Sequence, residues 1–461
     1  YRKFNSKNIN ARRPQMINLK FKTEKNGISK SSCNEVYTLL QINSDIKKSA
    51  TKRSPLNIAV ALDRSGSMSG QPLEEAKRCI EIIIDSLTND DYFSLITYDN
   101  MVDIPIPSNR VSNKEWMKSI VRNTHSGGLT ALYDGWSTAA AEAAKRVSKK
   151  SISRVLLLSD GQANDGVTDH ITIASHCAEM ASVGVSTTTY GLGEDFNEEL
   201  MTSMAKSGKG LAHYGQTADD LADPFQSEFD LIKSITARDL NLHLIAEPGV
   251  NFEVLNHFHR NPDGSFIMSD LAEGGELWAL LKINVPKSLL KRTDASSIRL
   301  LSAFLDYKKM DGTFERSDQV HLILDLISDH EYKSLPTEEM VSLRKVELHA
   351  ANLQDAARIA ARRSDWYEVK KLMLKLDELG LENEWVRQST EKLREYAERR
   401  ETERFSKEAF YKSNRMRTRM GAINESPSYS ESSEKMHVPS YLRRKLEIGK
   451  KISKDQRRLN D

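Results

Sequence analysis

The sequence predicts an α/β fold with a doubly wound, mostly parallel sheet (Rossmann-like), joined to a β-sandwich and a C-terminal helical segment. Two observations predict the sheet. Residues 56–62 (LNIAVAL) and 153–158 (SRVLLL) are largely apolar runs without alternation, which is typical of strands buried on both faces of a parallel sheet. Around these runs, strand-like segments alternate with helix-like segments, which indicates a layered α/β domain over residues 54–235.

The elements of this domain follow in order along the chain. The first helix carries Pro72 in its first turn, where a missing backbone N–H costs nothing. We expect strands over residues 56–62, 91–98, 153–158 and 186–190, and helices over residues 72–87, 116–121, 131–149, 170–183, 198–207 and 217–234.

Near residue 236 the apolar residues begin to alternate with polar ones, as in residues 239–245 (DLNLHLI). Turn signals such as Asn-Pro-Asp-Gly at 261–264 separate the alternating segments, which predicts a β-sandwich over residues 236–330. A strand-like segment near residue 35 has no helix after it. We therefore assign residues 31–53 to the same sandwich, which makes the α/β domain an insertion within it.

The remaining segments are polar or helical. Residues 1–30 are rich in Asn, Lys and Arg and are predicted to form a flexible arm. Residues 336–405 are predicted to form a helical hairpin or a three-helix bundle. Residues 401–461 contain 15 Lys plus Arg and 9 Asp plus Glu, and we expect a basic, largely disordered tail over residues 406–461.

Composition excludes several classes of protein. The 461 residues include 67 Lys plus Arg and 65 Asp plus Glu, a formal net charge of +2, which argues against a chain that mainly coats nucleic acid or membrane. No apolar run approaches the ~18–20 residues of a membrane span, and no segment near the start resembles a signal peptide. The three cysteines (Cys33, Cys79, Cys177) fit a reducing compartment rather than a disulfide framework. We expect a cytoplasmic protein without a membrane span.

Hard oxygen donors follow the predicted buried strands. Asp63, Ser65 and Ser67 form an Asp-x-Ser-x-Ser motif directly after the first strand. Thr130 follows a Gly-Gly turn, and Asp160 follows the strand 153–158. Ligands of doubly wound sheets bind beyond the carboxyl ends of the strands. Carboxylates and hydroxyls there suit Mg²⁺ or Mn²⁺ better than a soft metal.

With these residues in this order, residues 54–234 resemble the von Willebrand factor A (vWA) family, and the motif set resembles its metal-ion-dependent adhesion site. The resemblance implies that Asp63, Ser65, Ser67, Thr130 and Asp160 are the metal-site residues. The metal implied is Mg²⁺, with Mn²⁺ or Ca²⁺ as alternatives. The layout of the whole chain also resembles bacterial multidomain vWA proteins that add a β-sandwich and a helical segment.

Asp134 lies just inside the predicted helix that follows Thr130. One interpretation is that Asp134 supports the metal site from behind its ligands. The other is that it is an acidic residue favoured by the positive end of the helix dipole.

The resemblance implies a binding module rather than an enzyme. In the family, the metal keeps an open position that an Asp or Glu of a protein partner fills, and a carboxylate contact of this kind draws its strength from the charge of the ion. We therefore expect an adaptor within an intracellular assembly. Some intracellular relatives work with ring-forming ATPases, which makes such an ATPase a candidate partner.

Two other functions stay open on the residues alone. A metal-dependent hydrolase would use Asp63 and Asp160, with His125 as its nearest candidate general base. A nucleic-acid accessory protein would act through the basic tail, residues 406–461, and would bind with steep salt dependence.

Overall fold

The computed structural model describes residues 17–31, 34–44, 54–148, 150–159, 163–192, 197–215, 228–229, 232, 234–290, 295–418 and 421–422. The chain divides into two compact units. One unit is Ser54–Lys233. The other combines the residues before Ser54 with Ser234–Ile423.

The described strands, in chain order, are Ile17–Thr23 (β1), Ile28–Ser29 (β2), Asn34–Ser44 (β3), Leu56–Asp63 (β4), Tyr92–Tyr98 (β5), Val102–Arg110 (β6), Ile152–Ser159 (β7), Val185–Leu192 (β8), Lys209–Gly215 (β9), Ile235–Ala246 (β10), Asn251–Val254 (β11), Phe266–Ile267 (β12), Leu271–Ala272 (β13), Gly275–Val285 (β14), Ser297–Lys309 (β15), Phe314–Arg316 (β16), Val320–Ile327 (β17) and Gly421–Ala422 (β18). The described α-helices are Gln71–Ser86 (α1), Lys114–Arg122 (α2), Leu132–Ala144 (α3), His170–Ser182 (α4), Glu198–Ser207 (α5), Lys287–Leu290 (α6), Asp329–Ser334 (α7), Glu339–Arg362 (α8), Trp366–Glu382 (α9), Glu384–Arg399 (α10) and Thr402–Thr418 (α11).

The unit Ser54–Lys233 contains one six-stranded sheet in the order β6-β5-β4-β7-β8-β9. All its pairs are parallel except β5–β6, and every residue of β4 and β7 is buried. Helices α1 to α5 alternate with the strands. This arrangement confirms the predicted α/β fold class. It also places the carboxyl ends of β4, β5, β7 and β8 at one edge of the sheet.

The two edge strands of this sheet had no counterpart in the sequence prediction. Strand β6 contains Pro105 and Pro107, which argue against a strand unless it lies at an edge, as this one does. Strand β9 contains Gly210, at which a Cβ atom would collide with the backbone of Thr187 on β8. The predicted helix 217–234 lies mostly outside the described residues. Within this range, the described residues Glu228, Phe229 and Ile232 are buried.

The second unit contains a sandwich of two sheets. One has the order β1-β3-β14-β11, with β18 paired to β14, and the other has the order β12-β10-β15-β17-β2 with β13 and β16 beside it. Their shared core includes Leu40 and Leu281 from the first sheet and Leu242 and Leu305 from the second. Strand β3, before the α/β unit, pairs along its length with β14, which lies after that unit.

The prediction of a flexible arm over residues 1–30 is wrong for residues 17–30, the part that the structure describes. Strand β1 pairs with β3, and β2 pairs with β17, so residues 17–29 belong to the sandwich. Ile17 and Ile28 are fully buried in its core. The sequence INLKFKT of β1 alternates apolar and polar residues, a strand signal that the high local content of Asn and Lys concealed. Residues 1–16 lie outside the described residues.

The C-terminal segment contains four helices, α8 to α11, rather than the expected two or three. Helix α11 packs along α8 and buries Phe405, Ala409 and Met416 in the core of the bundle. Asp355 of α8 accepts a hydrogen bond from the Ser413 hydroxyl (2.6 Å) and pairs with Arg417 (2.7 Å). The prediction of a disordered tail over residues 406–461 is therefore wrong for residues 406–418, which belong to helix α11. The sequence did not indicate this helix because the net charge of the segment masked its apolar face. Residues 423–461 lie outside the described residues.

The bundle is attached to the sandwich through α8. Val341 and Leu348 of α8 pack against Leu39, Trp278 and Leu280 of β3 and β14. Burial of these apolar side chains removes them from water, and this is the main force that holds the helices on the sheet.

Candidate metal centre

The carboxylate of Asp63 lies at the carboxyl end of β4 and is fully buried. One of its oxygens accepts a hydrogen bond from the backbone N–H of Ser65 (2.8 Å), and the other accepts one from the hydroxyl of Ser159 (2.6 Å). Burial raises the pKa of Asp63, although both hydrogen bonds favour the charged form. Among the described residues, no Lys, Arg or His forms an ion pair with this carboxylate.

The two serines of the motif lie on a short turn that directly follows β4. A single 3₁₀ turn, Gly66–Met68, brings the Ser65 and Ser67 hydroxyls to 3.1 Å from each other. Ser65 is buried and Ser67 is exposed, while Met68 is fully buried and anchors the turn. This local geometry gathers one carboxylate and two hydroxyls at the edge of the sheet.

The loop that carries Thr130 is bound to this turn by backbone hydrogen bonds. The N–H of Gly66 donates to the carbonyl of Gly128 (2.9 Å), and the N–H of Gly127 donates to the carbonyl of Arg64 (2.6 Å). A Cβ atom at Gly127 would collide with the carboxylate of Asp99, which Arg64 and the backbone N–H of Met101 hold, so a larger residue would have to displace that carboxylate. The structure thus brings the loop that carries Thr130 against the serine turn.

Thr130 itself is buried and is positioned by Asn164. The backbone N–H of Thr130 donates to the side-chain oxygen of Asn164 (2.9 Å), and the N–H of Asn164 donates back to the carbonyl of Thr130 (3.3 Å). Asn164 lies four residues after Asp160. A third loop therefore meets the first two.

Asp160 lies outside the described residues, so its place at the site stays a prediction. Its neighbour Ser159 ends β7, is fully buried and donates to Asp63, and the sequence analysis did not single it out. Asp134 is exposed in the first turn of α3, close enough to Gly166 that a Cβ there would lie 3.3 Å from its carboxylate. No contact of Asp134 with the metal-site residues occurs among the described residues, and its role also stays a prediction.

An arginine beside the site pairs with acidic groups of its own. Arg64 lies between Asp63 and Ser65, and its guanidinium is 3.2 Å from the Asp99 carboxylate and 2.7 Å from that of Asp103. Arg64 therefore pairs with Asp99 and Asp103 and forms no ion pair with Asp63. His125 is exposed on the loop before Gly127 and forms no hydrogen bond or ion pair with any residue that the structure describes.

These features define a vWA-type α/β domain with oxygen donors at the carboxyl edge of its sheet. Residues 57–227 match the family model of the von Willebrand factor type A domain, so this part of the chain is a vWA domain. The chain is similar to an uncharacterized protein, sll0103, of Synechocystis sp., with 30% identity over 42% of this chain and 46% of that protein. It is also similar to the uncharacterized protein YfbK of Escherichia coli, with 26% identity over 61% of this chain and 50% of that protein.

The chain thus spans about half the length of the curated relatives it matches, and both are bacterial proteins. Among solved structures, the von Willebrand factor type A protein from Catenulispora acidiphila has the same fold, with a TM-score of 0.65 over 82% of this chain and 90% of that chain at 15% identity. The likeness extends well beyond the vWA domain. In the part of the chain that the structure describes, no helix is long and apolar enough to cross a membrane.

Proposed function

We propose that this protein is a metal-dependent protein-binding module. In this proposal the vWA domain holds a divalent cation, and a carboxylate of a protein partner completes the coordination of that cation. One observation carries the proposal. The Asp63 carboxylate is fully buried beside two serine hydroxyls and lacks a cationic partner among the described residues. An uncompensated buried charge is costly, and a bound cation would offset that cost.

The donors present fit a hard cation. Asp63, Ser65, Ser67 and Thr130 offer only oxygen, and this choice favours Mg²⁺ over soft metals, with Mn²⁺ or Ca²⁺ as alternatives. These residues and the predicted Asp160 would hold the ion. When bound, the ion supplies positive charge and an open coordination position for an Asp or Glu of the partner.

The partner belongs, in this proposal, to an intracellular assembly, and a ring-forming ATPase is a candidate. The two described cysteines, Cys79 and Cys177, are buried and are not joined in a disulfide, which supports a reducing, cytoplasmic location. Binding is favoured over hydrolysis because the nearest candidate base, His125, is exposed and has no group to orient it among the described residues. We therefore expect no turnover of a generic phosphoester or peptide with Mg²⁺.

Calorimetric titration of the full chain with Mg²⁺ and with Mn²⁺ tests the proposal directly. The variant Asp63→Asn should bind the ion at least about 100-fold more weakly, because it loses the buried ligand charge. The matched control Asp85→Asn removes an exposed carboxylate that pairs with Lys118 in the same domain, and it should bind as the wild type does.

A pull-down from the host organism, in Mg²⁺ and in EDTA, then tests the partner. We expect a partner that is lost both in EDTA and with Asp63→Asn. Equal metal affinity in wild type and Asp63→Asn would show that the proposed site is wrong. A partner retained under both conditions would show that the ion does not bridge the two proteins.

A further inference from the structure

Helix α9 of the C-terminal bundle has one apolar face that its neighbours do not cover. Its inner face buries Val369, Leu372, Met373 and Leu376 in the bundle. On the opposite face, Tyr367, Leu374 and Leu381 are 83%, 57% and 87% exposed. These three residues are seven apart, so they lie in one line along the helix.

Charged residues fill the two intervals between the apolar ones. Lys370 and Lys371 lie between Tyr367 and Leu374, whereas Asp377 and Glu378 lie between Leu374 and Leu381. All four share the outward face, because they are three or four residues from the apolar positions. The face therefore runs apolar, basic, apolar, acidic, apolar, and its charge reverses about Leu374.

This pattern is complementary to itself under a twofold rotation. If two copies of the helix meet antiparallel at Leu374, Tyr367 of each copy meets Leu381 of the other. Residues that are seven apart lie on the same side of this contact. Lys370 of one copy therefore meets Asp377 of the other, and Lys371 meets Glu378. A parallel arrangement would place like charges against each other, so the charges select the antiparallel one.

Two of these charged residues already have partners within the chain. Asp377 pairs with Arg394 of α10 (2.5 Å), and Lys371 pairs with Glu368 (3.3 Å). Lys370 and Glu378 form no hydrogen bond or ion pair with any residue the structure describes. An antiparallel pair of helices would supply each of them with an opposite charge from the other copy.

We propose that the chain self-associates through this face of α9 as a twofold-symmetric antiparallel helix pair, with Leu374 on the axis. The proposal does not depend on the metal centre. Helix α9 has 17 residues, about 25 Å of helix, so the contact is small beside a standard interface of about 1,600 Å². The dimer is therefore reversible and dissociates on dilution.

Sedimentation of the full chain over a range of concentrations, with EDTA present so that metal-bridged contacts are absent, tests the proposal. We expect a monomer–dimer equilibrium. Lys371→Glu and Glu378→Lys should each raise the dissociation constant of the dimer by about tenfold, because each places two like-charge pairs across the axis. The double variant Lys371→Glu/Glu378→Lys should restore the wild-type constant, since the exchanged charges attract again.

Oxidative cross-linking measures the register. The variant Leu374→Cys should form a disulfide-linked dimer, because its two copies face each other at the axis. The control Ile359→Cys places a thiol at a half-exposed position on α8, away from this face, and should not cross-link above the wild-type background.

A monomer at all concentrations would overturn the proposal. So would a dimer that Lys371→Glu leaves unchanged, or a double variant no better than the single ones. Both charge positions are exposed, and the thermal melt of each variant provides the check that its fold is intact.

Discussion

Asp63 shows how a single buried residue determines the properties of the candidate metal centre. Its two oxygens accept from a backbone N–H and from the Ser159 hydroxyl. A hydroxyl can turn to accept instead of donate, so the amide of Asp63→Asn can keep both contacts while losing the charge. This variant therefore separates the metal ligand from the fold more cleanly than a truncation to Ala.

Asn164 acts on the site through another residue, and its test follows from the contact. Its side-chain oxygen holds the backbone of Thr130 at 2.9 Å, so Asn164→Ala frees the loop. We expect metal affinity to fall by roughly tenfold, the lower range for groups that orient a ligand. Asn164→Asp keeps an oxygen acceptor and should recover most of the affinity in the same titration. Equal affinity in all three proteins would show that Asn164 does not position Thr130.

The local geometry of the Asp-x-Ser-x-Ser motif could be predicted from sequence because its members are close in the chain. Asp63, Ser65 and Ser67 are only two residues apart along the chain, and a strand followed by a turn is enough to bring them together. Ser159 and Asn164 could not be found in this way. Their contacts depend on the order of the strands and on which loops meet, and neither is determined by the residues next to them in sequence.

At the level of secondary structure, central elements were predictable and peripheral ones were not. Strands β4 and β7 are buried on both faces and appear as apolar runs. Edge strands β6 and β9 carry Pro or Gly, whose role depends on position within the sheet rather than on propensity. Helix α11 was hidden by its charge, although its apolar residues are spaced to lie on one face.

Three adjacent strands at one side of the vWA sheet share a buried acid, Glu228. It accepts hydrogen bonds from Arg154 on β7 (2.6 Å) and Thr188 on β8 (2.6 Å), and it contacts Tyr190 and His213 (3.0 Å). Burial alone would raise the pKa of Glu228, but the hydrogen bond from His213 and the charge of Arg154 lower it to about 2. The ionised acid therefore stabilises the folded domain.

This stabilisation has a defined pH range. Because the pKa of Glu228 is lower in the folded protein than its usual value of 4.5, the contribution is complete above that value and is lost as the pH falls toward about 2. Glu228→Gln leaves the Arg154 charge buried without its partner and should cost about 3 kcal/mol in free energy of unfolding at pH 7. Urea unfolding at pH 7 and pH 3 should show a smaller difference from wild type at the lower pH. An equal difference at both pH values would contradict this assignment.

On the scale of the whole molecule, the chain consists of two compact units with separate cores. We expect two transitions in calorimetry, since each unit unfolds as its own cooperative core. Mg²⁺ should raise the melting temperature of the unit Ser54–Lys233 only. At a concentration a hundredfold above the dissociation constant, it should add about 2.7 kcal/mol to the free energy of unfolding of that unit. Phe405→Ala should lower the free energy of unfolding of the other unit only, by about 3 kcal/mol, because it leaves a cavity in the core of the helical bundle. A shift of both transitions by either change would show that the units unfold together.

The pairing of β3 with β14 imposes an order on biosynthesis. The ribosome completes β3 first, yet the strand beside it emerges only after all of Ser54–Lys233 has been made. At about 5–20 residues per second this delay is on the order of 10–50 seconds. The vWA domain, whose six strands lie within one continuous stretch, can fold during that delay. During this delay the paired strands β1 and β3 have no partner on the edge of β3 that later binds β14. The nascent chain is then most exposed to incorrect strand pairing or to binding by chaperones.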